Sequence, residues 1–147
     1  MAMCERTLLD RQINTDLLTS ETHCFGIFKP DALELGITSD IERSIGDLGL
    51  RMFNLRSILL TSDDVLAVWP VITTPHSSRT VPYMTSAPVE LFITQGDEAS
   101  EKMLSVKRYF RQTYPNDNPV VSVMHTTDHD EELVRCVNYF FGDNENV

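Results

Sequence analysis

His23-Cys24-Phe25-Gly26-Ile27-Phe28-Lys29-Pro30-Asp31 is a compact apolar run closed by a proline. Pro30 lacks an N–H and stops a strand at this point, so residues 23–28 read as a first β-strand. Downstream, Ser39-Asp40-Ile41-Glu42 has the form of a capping box, and Ile41, Ile45 and Leu48 follow at helical spacing up to Gly49. Residues 51–60 read as a strand with Phe53, Leu55 and Leu59 on one side, and residues 62–69 as a short helix. Residues 73–80 are polar and loop-like, and residues 88–94 are β-rich. Residues 97–110 place Met103, Val106 and Phe110 on one helical face, and residues 114–119 carry the proline and asparagine content of a loop. Residues 119–124 form another β-rich run. Asp128 with Glu131 suggests a second cap, ahead of Leu133, Val137 and Phe140 at helical spacing. The order is strand, helix, strand, short helices, strand, helix, strand, helix. This predicts an α+β fold, a ferredoxin-like βαββαβ sandwich with a four-stranded antiparallel sheet covered by helices.

Upstream of the first strand, residues 1–21 read as an N-terminal extension and residues 22–147 as one domain. A chain of 147 residues suits a single core. The 41% hydrophobic and 23% charged content is that of a soluble globular protein. No apolar run reaches the roughly 18 residues of a membrane span. Glu5, Arg6, Asp10, Arg11 and Asp16 break up the first twenty residues, which lack the pattern of a secretion signal. A cytoplasmic protein with no membrane partner is expected. Cys4, Cys24 and Cys136 show no CxxC spacing, which predicts reduced thiols and no metal site. A formal net charge of −10 argues against a nucleic-acid surface. Lys102, Lys107, Arg108 and Arg111 are the local exception, and by pattern alone they read as a solvated helix face.

Three collinear segments carry a family resemblance. Phe25-Gly26-Ile27-Phe28-Lys29-Pro30-Asp31-Ala32 resembles the first strand and Lys-Pro-Asp motif of nucleoside diphosphate kinases. Tyr83-Met84-Thr85-Ser86-Ala87-Pro88-Val89 resembles their Met-x-Ser-Gly-Pro-Val segment. Met124-His125-Thr126-Thr127-Asp128, running into Asn138-Tyr139-Phe140-Phe141-Gly142, resembles their His-Gly-Ser-Asp motif and closing helix. The likeness spans roughly residues 22–145, in the family's order. It implies a transfer in two steps, in which a histidine takes the γ-phosphoryl of ATP or another nucleoside triphosphate and hands it to a diphosphate. Mg2+ would be carried by the nucleotide. It also implies a homo-oligomer. The contact region is shortened, so a dimer or an atypical assembly is expected.

The resemblance assigns roles residue by residue. His125 is the phosphoryl acceptor. It follows an apolar run and precedes a helix N-terminus, where the dipole favours a neutral ring and attracts phosphate. Lys29, at a strand end, contacts the transferred group as a point charge. Thr113 stands before Tyr114-Pro115 in the manner of a phosphate-binding threonine. Lys107, six residues before it, takes the place of a phosphate-binding arginine, with Arg108 as its rival. An ungapped count places His76 where the family stacks a phenylalanine on the base. Thr127 keeps the hydroxyl of the family's serine, with helix capping as its other reading.

The pattern also departs from the family. Cys136 stands at the spacing of a glutamate that orients the histidine, Ser122 replaces an asparagine, and Thr126 replaces a glycine. Pro70, beside Trp69, falls where the family has a tyrosine. The stretch from Gly96 to His125 is about nine residues short and lacks a phosphate-holding arginine, for which Arg79, Arg108 and Arg111 are candidate replacements. The expected function is a phosphohistidine phosphotransferase. The alternative is an impaired relative that binds nucleotide or protein.

Overall fold

A computed structural model describes residues 15–70 and 77–142 of the chain. Four strands, β1 (His23–Phe28), β2 (Arg51–Ile58), β3 (Val89–Gln95) and β4 (Met124–Thr126), form one antiparallel sheet in the order β2-β3-β1-β4. The helices are α1 (Pro30–Leu35), α2 (Thr38–Asp47), α3 (Ser62–Val68), α4 (Ser77–Met84), α5 (Ala99–Thr113) and α6 (Asp130–Phe141). The α+β sandwich read from the sequence is the fold observed.

Because strand side chains alternate between faces, the sheet separates two cores. One joins Cys24, Phe28 and Phe92 to Ile41 and Ile45 of α2 and to Met103, Val106 and Phe110 of α5. The other joins Phe25, Ile27, Leu91 and Ile93 to Val65 and Val68 of α3, Met84 of α4, and Leu133 and Val137 of α6. Gly26 pairs with Phe92, whose ring lies over it. A Cβ at Gly26 would come within 2.3 Å of Phe92 Cζ, so the crossing admits only glycine.

Several local expectations are corrected. The Ser39–Glu42 capping box is not made. Helix α2 begins two residues earlier, with Ile37 at its cap and no side-chain bond there, and Asp40 pairs instead with Arg43 at 3.2 Å. In β2 a bulge intervenes. Asn54 takes φ 55° and the register shifts between Phe53 and Arg56. Phe53 and Leu55 therefore reach opposite cores, and Leu59 is exposed. Residues 77–80, read as loop, are the start of α4, which accommodates Pro82. The β-rich run 119–124 yields only the strand 124–126.

The segment before β1 is tied to the domain. Leu18 is buried with the second core, Ser20 and Glu21 carbonyls accept from the N–H groups of Ser100 and Ala99, and Ser20 N–H donates to Asp130 Oδ1 at 2.7 Å.

Candidate active site

β4 is one of the sheet's two edge strands, and it carries His125. Its partner across the pair is Ile27, so the imidazole projects toward the face covered by α3, α4 and α6. Two residues earlier, Val123 has φ 74°, a left-handed conformation that is costly for a β-branched side chain. Contacts from four directions impose it. Val123 N–H donates to Asp31 Oδ2 at 2.9 Å, and its carbonyl accepts Lys29 N–H at 2.9 Å. Arg111 of α5 straddles it, with Nε on the Ser122 carbonyl at 2.9 Å and Nη2 on the Met124 carbonyl at 2.8 Å. Lys29 Nζ donates to the Val120 carbonyl at 3.1 Å and Ser122 Oγ at 3.0 Å. Asp31 is held in turn by the Tyr83 hydroxyl. The turn that aims the histidine is thus built from the ends of β1, α4 and α5.

The ring itself has two neighbours. Nε2 lies 3.0 Å from Oε2 of Glu132, and the indole of Trp69 meets it nearly edge-on, with centroids 4.9 Å apart. Glu132 also accepts the Asp128 N–H through Oε1 at 3.0 Å. The expected cap at Asp128 with Glu131 is therefore out of phase by one residue. The cap is His129, whose Nδ1 accepts Glu132 N–H, and Glu132 is the third helical residue, reaching back over the helix start. That phase was the available signal for Glu132. Cys136, one turn later, is fully buried in the core as a free thiol.

Burial, foremost, lowers the His125 pKa from its ordinary value of 6.5; Lys29 and Lys107 add to the effect and Glu132 opposes it. A lowered pKa favours the neutral ring at neutral pH. Its Nε2–H then donates to the carboxylate and leaves the Nδ1 lone pair free. Burial, assisted by Arg111, pushes Lys29 down to about 7, against the pull of Asp31. Lys107 is only 7% exposed and has no hydrogen bond or ion pair among the described residues. Its pKa is lowered by burial first, with Asp128 opposing and Arg111 reinforcing. On α5 it stands between Ser100, which bonds the Thr127 and Asp128 carbonyls, and Arg111. Thr126 Oγ1, at the same stretch of β4, is buried without a partner among the described residues.

Of the residues proposed from sequence, Lys29, Lys107 and His125 act on one another electrostatically. Thr127 is not a helix cap. Its hydroxyl accepts Phe25 N–H at 3.1 Å and fastens β4 to β1. Thr113 is exposed at the end of α5, bonded to the Tyr109 carbonyl of its own helix. His76 lies outside the described residues. Arg111, offered as a replacement phosphate ligand, holds the β4 backbone.

Compared with known proteins, the chain is 29% identical to the nucleoside diphosphate kinase of Dehalococcoides mccartyi over 133 residues, covering 82% of this chain and 92% of that protein. Its likeness to the nucleoside diphosphate kinase of Acidiphilium cryptum is 35% over 74 residues, half of this chain and 53% of the relative. The fold matches the Aquifex aeolicus nucleoside diphosphate kinase with a TM-score of 0.71 at 22% identity, over 84% of this chain and 96% of that one. It matches the Encephalitozoon cuniculi nucleoside diphosphate kinase at 0.72 and 19% identity, over 84% and 90%. The chain is similar to nucleoside diphosphate kinases over most of its length and has their fold. No family model matches it. Beside the histidine, Glu132, Arg111 and Trp69 are the supports of β4 and its ring. Among the described residues, no helix is long and apolar enough to cross a membrane.

Proposed function

We propose that the chain is a phosphotransferase that moves the γ-phosphoryl of a nucleoside triphosphate to a nucleoside diphosphate or related acceptor through phosphohistidine 125. The observation that carries this reading is the buried imidazole held through Nε2 by Glu132, with burial lowering its pKa. Nδ1 attacks the γ-phosphorus, the bond from that phosphorus to the β,γ-bridging oxygen breaks, and the diphosphate leaves with the electron pair. The acceptor's terminal phosphate oxygen then attacks the phosphorus, and the ring recovers its lone pair. Magnesium arrives on the nucleotide's phosphates. Lys29 and Lys107 supply the positive field for the moving charge, which a water-poor site makes effective. Thr127 and Thr113 stay further candidates for phosphate contact and His76 for base stacking, and assembly as a dimer or other small oligomer is part of the proposal.

Incubation with γ-labelled ATP and Mg2+ tests it. An acid-labile, base-stable label that is lost in His125→Ala, with phosphorus bound at Nδ1 by NMR, is expected. No label, or equal label in the variant, would sink the reading. One observation favours a second reading. Lys29, a cation near the ring, and Arg111, beside β4, are both bonded to the protein's own backbone, as suits a relative that binds nucleotide without transfer. That reading predicts thermal stabilisation by nucleotide with no label.

A further inference from the structure

We infer that Trp69 and Arg135 form a positioning unit for His125, in which the guanidinium fixes the last turn of α3 so that the indole closes over the imidazole. The inference rests on His125 being the reacting residue.

Helix α3 is seven residues long and ends at Trp69, which leaves helical geometry with φ −121° and ψ 74°. A helix this short has little stability of its own, and its last carbonyls lack intrahelical partners. Arg135 supplies them, with Nε donating to the Ala67 carbonyl at 3.1 Å and Nη2 to the Val68 carbonyl at 3.2 Å. A two-pronged donor at a helix C-terminus also complements the dipole there. The residue locked immediately after those carbonyls is Trp69. Its ring sits 4.9 Å from that of His125 at an interplanar angle of 60°.

Arg135 comes three residues after Glu132 on α6, so the two side chains leave the helix on neighbouring faces. One helix therefore holds the imidazole twice, directly through Glu132 and indirectly through Arg135, α3 and the indole. The two contacts constrain different motions. The carboxylate fixes the ring's Nε2 edge, and the indole blocks tilting toward α3 and excludes water from that side. The charged groups facing the ring are Glu132 from α6, Lys29 from the end of β1 and Lys107 from α5. The indole adds an apolar wall to this set.

Trp69 is the chain's single tryptophan, so its emission reports this contact alone. A protonated imidazole in ring contact quenches an excited indole. Wild-type emission is expected to fall on acidification with a midpoint below about 6.5, and this transition is expected to vanish in His125→Asn. In Arg135→Ala the emission should shift to the red and the midpoint should rise toward 6.5. Its kcat should fall by about tenfold to a hundredfold, with KM little changed. Arg135→Lys, which cannot donate as a fork, should fall between the two and covers the case in which the alanine variant fails to fold. Identical emission and midpoint in the wild type and both variants would overturn the inference, as would an acid response that survives His125→Asn. The titration needs no phosphoryl transfer. If no variant is ever labelled, the proposed activity fails and the unit stands. If wild type and Arg135 variants label at equal rates, the unit fails and the activity stands.

Discussion

Oε2 of Glu132 sits 3.0 Å from Nε2 of His125, seven residues earlier in the chain, and the same carboxylate caps the turn between them through the Asp128 N–H. The contact fixes the tautomer as well as the orientation. Glu132→Ala is expected to lower kcat/KM by about 100- to 10,000-fold, since a ring in the wrong tautomer presents no lone pair to phosphorus. Glu132→Gln should be less impaired than the alanine variant, because its oxygen can still accept Nε2–H although its charge is gone. Nitrogen NMR of His125 checks the cause. The wild type should show a protonated Nε2 and the alanine variant a mixture of tautomers.

The pH dependence of kcat/KM should be a narrow bell. His125 must be neutral to attack, and its pKa lies below 6.5, so activity rises with pH through that lower region. Lys29 must be charged to hold phosphate, and its pKa is about 7, so activity falls as pH rises through neutrality. Lys29→Arg cannot lose its proton and should remove the alkaline limb while leaving the acid limb in place, at a lower maximum. An unchanged alkaline limb in that variant would assign it to another group.

Arg111 closes the outer edge of β4 by occupying two carbonyls on either side of Val123. Arg111→Met should cost about 2–3 kcal/mol in urea unfolding, roughly the worth of two charge-assisted hydrogen bonds at a partly buried site. Arg111→Lys should recover less than half, because a single ammonium cannot serve both acceptors. Phosphohistidine formation should slow in both.

Lys107 presents the opposite case, a deeply placed ammonium with no bonded partner among the described residues. Lys107→Met should raise stability by about 1 kcal/mol in the absence of nucleotide, since an unpaired charge is removed from a water-poor site. The same change should reduce the melting-temperature gain on adding millimolar nucleotide diphosphate. A less stable variant with undiminished nucleotide response would show that Lys107 serves the fold and not the ligand.

The fold was readable because its elements carry clean periodicity. Phe25 and Ile27 alternate with Cys24 and Phe28 into two cores, and Met103, Val106 and Phe110 share one helical face. The β-rich run 119–124 gives way to a strand only at 124–126, since valine-rich composition favours β while the φ of Val123 is imposed by distant partners. His125 and Lys29 stand in local motifs, which mark them in the sequence. Glu132 was hidden by a cap displaced by one residue. Trp69 and Arg135 acquire their roles only through packing of α3 on α6, which no spacing in the chain encodes.

The left-handed turn at Val123 also bears on the order in which the molecule is assembled. Its N–H is claimed by a carboxylate 92 positions upstream, and its neighbours' carbonyls by a helix that must already be docked. Peptide 115–127 alone has nothing to repay that conformation. The histidine is therefore aimed only where Asp31 and α5 are in place. A chain in which either had yet to dock would have a chemically silent site.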